Sequence, residues 1–594
     1  MKKTLSILLS LLLLFSAALP AFAADGNGEE TVVVVDPIDD QASIFVPEDV
    51  DVNVDWDGVF AAIRDGVSTH QDSVSLLDFN IPYSGTQDDP NIQYIKNFLF
   101  YEPVLLRTCK QFSYNIRNTG TGTILSYLNL GDYYQYDQET YLAMADACND
   151  AATQLLYGIG DNEFLSDAEK CLILHDRLAA WCGYDIVNYN SGTIPNESYC
   201  AYGPLALQIG VCQGYAMAYG WMLDILGIEN YYISSKTINH GWNLVRIDDD
   251  TPYFIDVTWD DPTWDVTGRV NHTNFLQSFA TFSAGHRNAT DFTDEPSSTV
   301  YEDSYWKAIT CEFQLIGDKL YYVDGSAYVN QSYPTCGNGD LKCLDLSTGA
   351  ETTLMTIDSL WTTANGGFYS DCYARLTSIG SKLFYSTPDE IHSYDIATGE
   401  DALVYAPDFT QYAEGSRIYG LTQRNGTLYV MINTKPNATQ TSPGTVETVP
   451  SCTEHADKVT LETLTPATCS AGGTVKYICA DCRAVGTAET APDPALHVFG
   501  EWTTVTAATC TAGGSERRDC VNCGAFETRE TGVDANNHVN TENRPAVAAT
   551  CVAQGRQEGV WCFDCQKFVS GGEAINPDPD AHTFGAWTAV TAST

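Results

Sequence analysis

The stretch Gly210-Val211-Cys212-Gln213-Gly214-Tyr215-Ala216 is followed by His240-Gly241-Trp242-Asn243 and then by Tyr253-Phe254-Ile255-Asp256-Val257-Thr258-Trp259-Asp260-Asp261-Pro262. It sets a cysteine, a histidine and an aspartate in the order nucleophile, base and orienter. Apolar residues recur at helical spacing from Tyr215 to Leu226 and the run stops at Gly227, which predicts a helix with Cys212 on its first turn. The unpaired N–H groups of a helix N-terminus, and an imidazolium beside it, favour the thiolate, which is the nucleophile. His240 opens an alternating segment in which Trp242, Leu244 and Ile247 oppose Asn243, Arg246 and Asp248. A turn over Asp249-Asp250-Thr251-Pro252 leads into a second strand, Tyr253 to Val257. An antiparallel hairpin brings His240, near one strand's start, beside Asp256, near its partner's end.

Upstream, His175-Asp176-Arg177-Leu178 and Tyr184-Asp185 lie on or after a preceding helix, and Ala201-Tyr202-Gly203-Pro204-Leu205 leads into the cysteine segment. With these residues, 161–295 resembles the transglutaminase-like superfamily, and within it the bacterial extracellular members. The resemblance implies an α+β fold with a papain-related core, and catalytic roles for Cys212, His240 and Asp256. It leaves the acyl acceptor open, because cross-linkers and peptidases share the core. The expected function is cysteine-dependent acyl transfer on protein or peptide amides, with no cofactor for the chemistry. The alternatives are a cysteine peptidase or peptidoglycan amidase, and a surface adhesin whose triad domain no longer turns over. Gln213 and Trp242 are candidate oxyanion donors beside the backbone N–H groups of the Cys212 helix. His175 borders the apolar face of its helix and stays outside the triad. Asp248 to Asp250 and Asp260-Asp261 lack the spacing of a calcium loop.

Around this core the chain divides by pattern. Lys2 and Lys3, the apolar Leu5 to Leu19 and Ala21-Phe22-Ala23 have the layout of a secretory signal peptide over 1–23. No later stretch is long and apolar enough to span a bilayer, so the expected location is extracellular or cell-surface. Residues 24–55 read as an acidic lead-in. A helical and mixed lobe follows over 56–160, with helices near Phe60 and Tyr94, a hairpin over 112–116 and 123–128, and a helix from Glu139 to Tyr157. Ser166 and Glu169 form a capping-box signature ahead of the face Cys171, Leu174, Leu178 and Trp181.

From 296 to 433 a turn-then-strand unit recurs, as Ile316-Gly317-Asp318-Lys319-Leu320-Tyr321-Tyr322, Ile379-Gly380-Ser381-Lys382-Leu383-Phe384-Tyr385 and Asn425-Gly426-Thr427-Leu428-Tyr429-Val430. With the matching turns Asp345-Leu346-Ser347-Thr348-Gly349 and Asp395-Ile396-Ala397-Thr398-Gly399 it resembles propeller-type repeats, and predicts a fragmentary propeller or an open stack of sheets. Residues 434–450, rich in Thr, Pro, Asn and Ser, read as a linker.

Residues 451–594 repeat at about 41 residues. Taken one repeat at a time, the expected zinc sets are Cys469, Cys479, Cys482 and His497; Cys510, Cys520, Cys523 and His538; and Cys551, Cys562, Cys565 and His582. Three Cys and one His form a tetrahedral structural zinc complement, zinc-ribbon-like in its Cys-x2-Cys pairs, with disulfides as the alternative. His455 precedes Cys469 as His497 precedes Cys510, so the array starts near His455. The spacing after His582 places the next cysteine one position past the last residue. The units resemble repeats of Gram-positive surface proteins, and their Phe-Gly-x-Trp-Thr segments, 499–503 and 584–588, suit small-core packing.

The 594 residues, 44% hydrophobic, exceed one core and imply several domains. Thirty basic against 77 acidic residues leave a net charge of −47, which opposes nucleic acid and anionic lipid as partners. The expected partner is a protein or peptide substrate, with a cell-wall component among the options. Of the 20 cysteines, ten precede residue 400 without regular spacing. Setting Cys212 aside as a working thiol leaves an odd number there, so a further thiol is expected to be free, with Cys171 a buried candidate, or to pair with the C-terminal region.

Overall fold

In the computed structural model, residues 30–34 and 47–590 are described, apart from 48, 87, 110, 262, 264, 265, 288, 290, 440 and 589. The signal-peptide reading falls outside them. The chain forms two compact units: residues up to Leu461 together with Tyr477–Gly486, and Glu462–Lys476 together with Thr487–Thr594. Few helices and many small antiparallel sheets make up the architecture. No helix among the described residues is long and apolar enough to cross a membrane.

The first unit begins with helices Trp56–Ser68, Pro90–Tyr101 and Gln138–Leu156, each started by an aspartate whose carboxylate accepts from first-turn N–H groups: Asp55, Asp89 and Asp137. Val59, Ile63 and Val67 face the core at helical spacing, and Phe60 stacks on Phe98 at 4.0 Å. The hairpin Ser113–Asn118 and Thr123–Asn129 forms as the sequence predicts. Glu30–Val34, inside the segment read as an acidic lead-in, is a strand on this hairpin's edge, its Val-rich run pairing with Ser113–Arg117.

Helix Asp167–Trp181 starts with the predicted capping box and buries Cys171, Leu174, Leu178 and Trp181. It packs on helix Cys212–Leu226 through a hydrogen bond from Tyr219 to the Cys171 carbonyl at 2.8 Å. The latter helix is buried from Gln213 to Leu223 and ends at Gly227, whose φ of 72° lets its N–H and that of Ile228 reach the Leu223 turn. Strands Asn230–Ser235, His240–Ile247 and Thr251–Ile255 form an antiparallel sheet beside it, tied by Asn243, whose amide donates to the Ala216 carbonyl at 3.0 Å.

Gly214 explains part of the motif. A Cβ there would meet the Ser198 carbonyl oxygen at 2.4 Å and Pro204 at 3.3 Å. The same Ser198 carbonyl accepts from Val211 N–H at 2.9 Å, so it has no room to move away. Gly214→Ala is therefore expected to destabilise the first unit by about 2–4 kcal/mol, read as a lowered midpoint in urea unfolding.

Beyond residue 313 come two four-stranded antiparallel sheets, Gln314–Ile357 and Leu376–Tyr405, and a three-stranded one, Arg417–Pro450. This agrees with about three units. The repeated turns have a common cause: one carboxylate oxygen of Asp345 accepts from the N–H groups of Ser347 and Thr348, as one of Asp395 does from Ala397 and Thr398. The linker reading of 434–450 is corrected at its end. Thr445–Pro450 is the third strand of the last sheet, paired along Thr427–Ile432, because alternating Thr and Val suit a sheet edge despite the linker-like composition around them.

The second unit contains the sheets Thr503–Thr506, Gly513–Asp519, Phe526–Val533 and Thr541–Arg544, Gly559–Cys562, Lys567–Gly571. Its buried apolar side chains, among the described residues, are only Cys520 and Cys562. Phe499 and Trp502 lie under Arg518, at 4.8 Å each, which fits small-core packing; Phe584 and Trp587 of the later copy are exposed.

Candidate active site

Cys212 is the first residue of its helix, and Val211 before it offers no side-chain cap, so the first-turn N–H groups face the thiol's end of the helix. Residues Tyr184 and Gly210 pair in a short parallel bridge, and Asp185 N–H donates to the Gly210 carbonyl at 2.8 Å, fixing the approach to the cysteine. Cys171, Cys182 and Cys200 are buried, whereas Cys212 is half-buried. No two of the 20 cysteines are bonded to each other.

The hairpin turn uses Asp248, Asp249 and Asp250, all with positive φ, and is one residue earlier than the sequence pattern suggests. The second strand stops at Ile255, short of the predicted Val257. Asp256 instead caps the one-turn helix Val257–Asp260, one carboxylate oxygen accepting from Trp259 N–H at 3.1 Å. Capping and orienting are compatible, since they use different oxygens. The other oxygen, Oδ2, lies 2.6 Å from His240 Nε2. That leaves His240 Nδ1 for the Cys212 thiol, with which the imidazole interacts both as hydrogen-bond partner and as charge.

Burial of His240 disfavours its charged form, but Asp256 and Cys212 outweigh this and raise its pKa to about 10. Burial likewise pushes the Asp256 carboxyl up, yet His240 and His286 hold it well below the usual carboxylate range. The three predicted residues thus converge from a helix start, a strand start and a strand end.

His286 is the residue that sequence reasoning missed. It follows helix Phe279–Gly285, and its Nε2 lies 2.8 Å from the same Asp256 oxygen, while Nδ1 donates to the Phe282 carbonyl at 3.1 Å. Its ring is sandwiched between Trp259 and Phe282, each at 3.8 Å and 10°. Nothing in the local sequence signals this, because the contact depends on how the segment after the hairpin folds back. His286→Phe keeps the sandwich and removes one of two imidazoles from the buried carboxylate. Cys212 alkylation is expected to slow about tenfold, less than for His240→Ala, as measured by timed iodoacetamide labelling.

A second buried cluster lies behind the site. His175 meets Asp176 at 2.9 Å and Asp260 at 3.3 Å, and Asp176 also accepts from His272 at 2.8 Å and from Phe313 N–H at 2.8 Å. His175 is therefore a structural partner of Asp260, outside the Cys212 site as the sequence reading has it. Asp260 accepts from the Asn274 backbone, and Asn274 accepts from Asp256 N–H, so the cluster supports the loop carrying Asp256. Asp260 and Asp261 hold protein partners, the latter Tyr215 at 2.5 Å. Gln213 Nε2 and Trp242 Nε1 are buried with no hydrogen-bond partner among the described residues.

The C-terminal Cys and His side chains group differently from the one-repeat sets. The structure gathers Cys469 and His497 with Cys520 and Cys523, and Cys510 and His538 with Cys562 and Cys565. Cys479 and Cys482 join Cys452 and His455, two residues absent from the predicted sets. Cys551 and His582 join no such group among the described residues. The phase of the grouping is thus shifted, because each Cys-x2-Cys turn folds toward a Cys and a His that lie before its own repeat.

No family model matches the chain, and no curated protein matches it. Among solved structures it is similar to a TGase, a transglutaminase, at TM-score 0.18 and 16% identity, over 24% of this chain and 43% of that one. It is also similar to the extracellular domain of the putative hybrid two component system BT4673 from B. thetaiotaomicron, at TM-score 0.15 and 9% identity, over 57% of this chain and 32% of that one. The N-terminal domain of Nup159 is matched at TM-score 0.12 and 8% identity, over 44% of this chain and 74% of that one. Likenesses at these scores assign no activity, and the functional reading rests on the site's own residues.

Proposed function

We propose that the chain is an exported, transglutaminase-like cysteine acyltransferase with a papain-related core, acting on protein or peptide amides. The observation that carries this reading is the line of Cys212, His240 and Asp256, with His240 hydrogen-bonded to the buried carboxylate through Nε2 and interacting with the Cys212 thiol. A proton shared between Cys212 and His240 leaves a thiolate at the open end of a helix. The thiolate attacks the amide carbonyl carbon, forming the C–S bond, and the carbonyl electrons move to oxygen. First-turn N–H groups and the unpartnered Gln213 amide support that oxyanion. As the intermediate collapses the C–N bond breaks, and the His240 proton passes to the departing amine. A thioester remains. An incoming amine or water loses a proton to His240 and attacks the thioester carbon, and Cys212 leaves as thiolate. Asp256 keeps the imidazole oriented throughout.

A fluorescent primary amine offered with casein tests this. The expected result is Cys212-dependent labelling of casein. Ammonia release without amine incorporation marks water as the acceptor, and neither signal from protein that folds normally contradicts the enzyme reading in favour of the adhesin.

A further inference from the structure

We infer that the Cys/His array binds zinc at sites shared between consecutive repeats, each site taking a Cys and a His from one repeat and the Cys-x2-Cys turn of the next, with Cys452 and His455 completing the first. This departs from one zinc per repeat in both ligand identity and consequence, since each ion closes a long loop and joins neighbours.

Three observations converge. In each group the four ligand atoms lie within 4.8 Å of one another. Cys452 Sγ is 3.9 Å from Cys479 Sγ, Cys469 Sγ is 3.5 Å from Cys520 Sγ, and Cys510 Sγ is 3.6 Å from Cys562 Sγ. His455, His497 and His538 all present Nδ1 to the second sulfur of the turn, at 3.3, 3.4 and 3.6 Å. Arms of about 2.3 Å to a tetrahedral zinc set neighbouring sulfurs about 3.8 Å apart, whereas a disulfide holds them at about 2.05 Å. Three sulfurs and an imidazole at one corner-to-corner spacing are a ligand set rather than a bonded pair.

The second observation is the turn. Cys479 and Ala484 are bridged by a backbone hydrogen bond of 2.8 Å, as are Cys520 and Ala525, and Arg483 and Gln566 adopt positive φ in equivalent places. Each pair thus sits on a hairpin end that aims both sulfurs to one side. The third is what the second unit lacks. Among the described residues its buried apolar side chains are two of these cysteines, so hydrophobic burial does not hold its sheets together and bound metal supplies the missing free energy. In the first unit, the Cys479 turn is seated by Gly380 N–H on the Asp481 carbonyl, and Cys452 by its N–H on Gly426. The ion there locks this hairpin to the strand turns at Gly380 and Gly426.

The test is zinc content per chain by inductively coupled plasma mass spectrometry, on full-length protein made with added zinc. Three ions are expected. Cys452→Ser lowers the count to two, and Cys551→Ser leaves it at three. The one-repeat sets demand the reverse, and that result overturns the inference. So does protein with no zinc and no alkylatable thiols at these cysteines. His455 supplies a matched pair that separates misfolding from ligand loss: His455→Asn retains two ions and His455→Cys, which restores a fourth donor, retains three. Cobalt(II) exchanged into the protein is expected to show the intense visible absorption of a thiolate-ligated tetrahedral ion, reduced by about a third in His455→Asn; a count and spectrum unaffected by His455→Asn also contradict the first site.

Discussion

His240→Ala is expected to reduce acyl transfer by about 10³–10⁴-fold, and Cys212→Ala to abolish it, with both proteins still unfolding cooperatively. The size follows from what His240 does. It accepts the thiol proton, returns it to the leaving amine, and takes another from the acceptor, so its loss affects both halves of the reaction. It is also one of two imidazoles on the buried Asp256, and removing it leaves His286 as partner. This makes collapse of the site less severe than a lone buried carboxylate would suggest. Initial rates of amine incorporation under saturating and limiting donor separate the chemical step from binding: the loss is expected in kcat as well as in kcat/KM. Equal rates for wild type and His240→Ala would remove the base from the mechanism.

Asp256→Asn is expected to produce the second largest effect, about 10²–10⁴-fold, together with a shift in pH dependence. Asp256 is the leading influence that raises His240, whose pKa stands at about 10 against a burial effect in the opposite direction. For a histidine raised above its unfolded value of ~6.5, the stabilisation is fully present below that value and is lost as pH rises through about 10. With asparagine at 256 the imidazolium loses its counter-charge while burial still disfavours it. The alkaline limb of the acyl-transfer rate therefore moves to lower pH, and the pH-dependent stability between ~6.5 and 10 flattens. Rates and unfolding midpoints across that range measure both. An unmoved alkaline limb would show that Asp256 does not hold the imidazolium.

The parts of this site that could be read from the sequence are those built from adjacent residues. A helix that begins at Cys212 and stops at Gly227 follows from spacing and a left-handed glycine, and the hairpin from alternation around an aspartate-rich turn. Asp256 is legible because it ends a strand, although its capping of Val257–Asp260 shortens that strand. His286 is not legible: no periodicity links it to Asp256, and only the stacking of Trp259 and Phe282 around it sets its place. The Cys/His array shows the converse. Its composition and period are plain, but a period is the same whichever repeat supplies which ligand, so the shifted grouping around Cys452 and His455 appears only in three dimensions. Thr445–Pro450 was hidden for a similar reason, since a sheet edge is chosen by the strand beside it more than by its own residues.

The most direct measurement of the central claim is the rate at which iodoacetamide labels Cys212 near neutral pH, followed by peptide mass, in wild type and His240→Ala. An activated cysteine predicts labelling of Cys212 ahead of the other half-buried thiols, slowed at least tenfold by His240→Ala. Labelling of Cys212 at the rate of an ordinary thiol, indifferent to His240, would contradict the account.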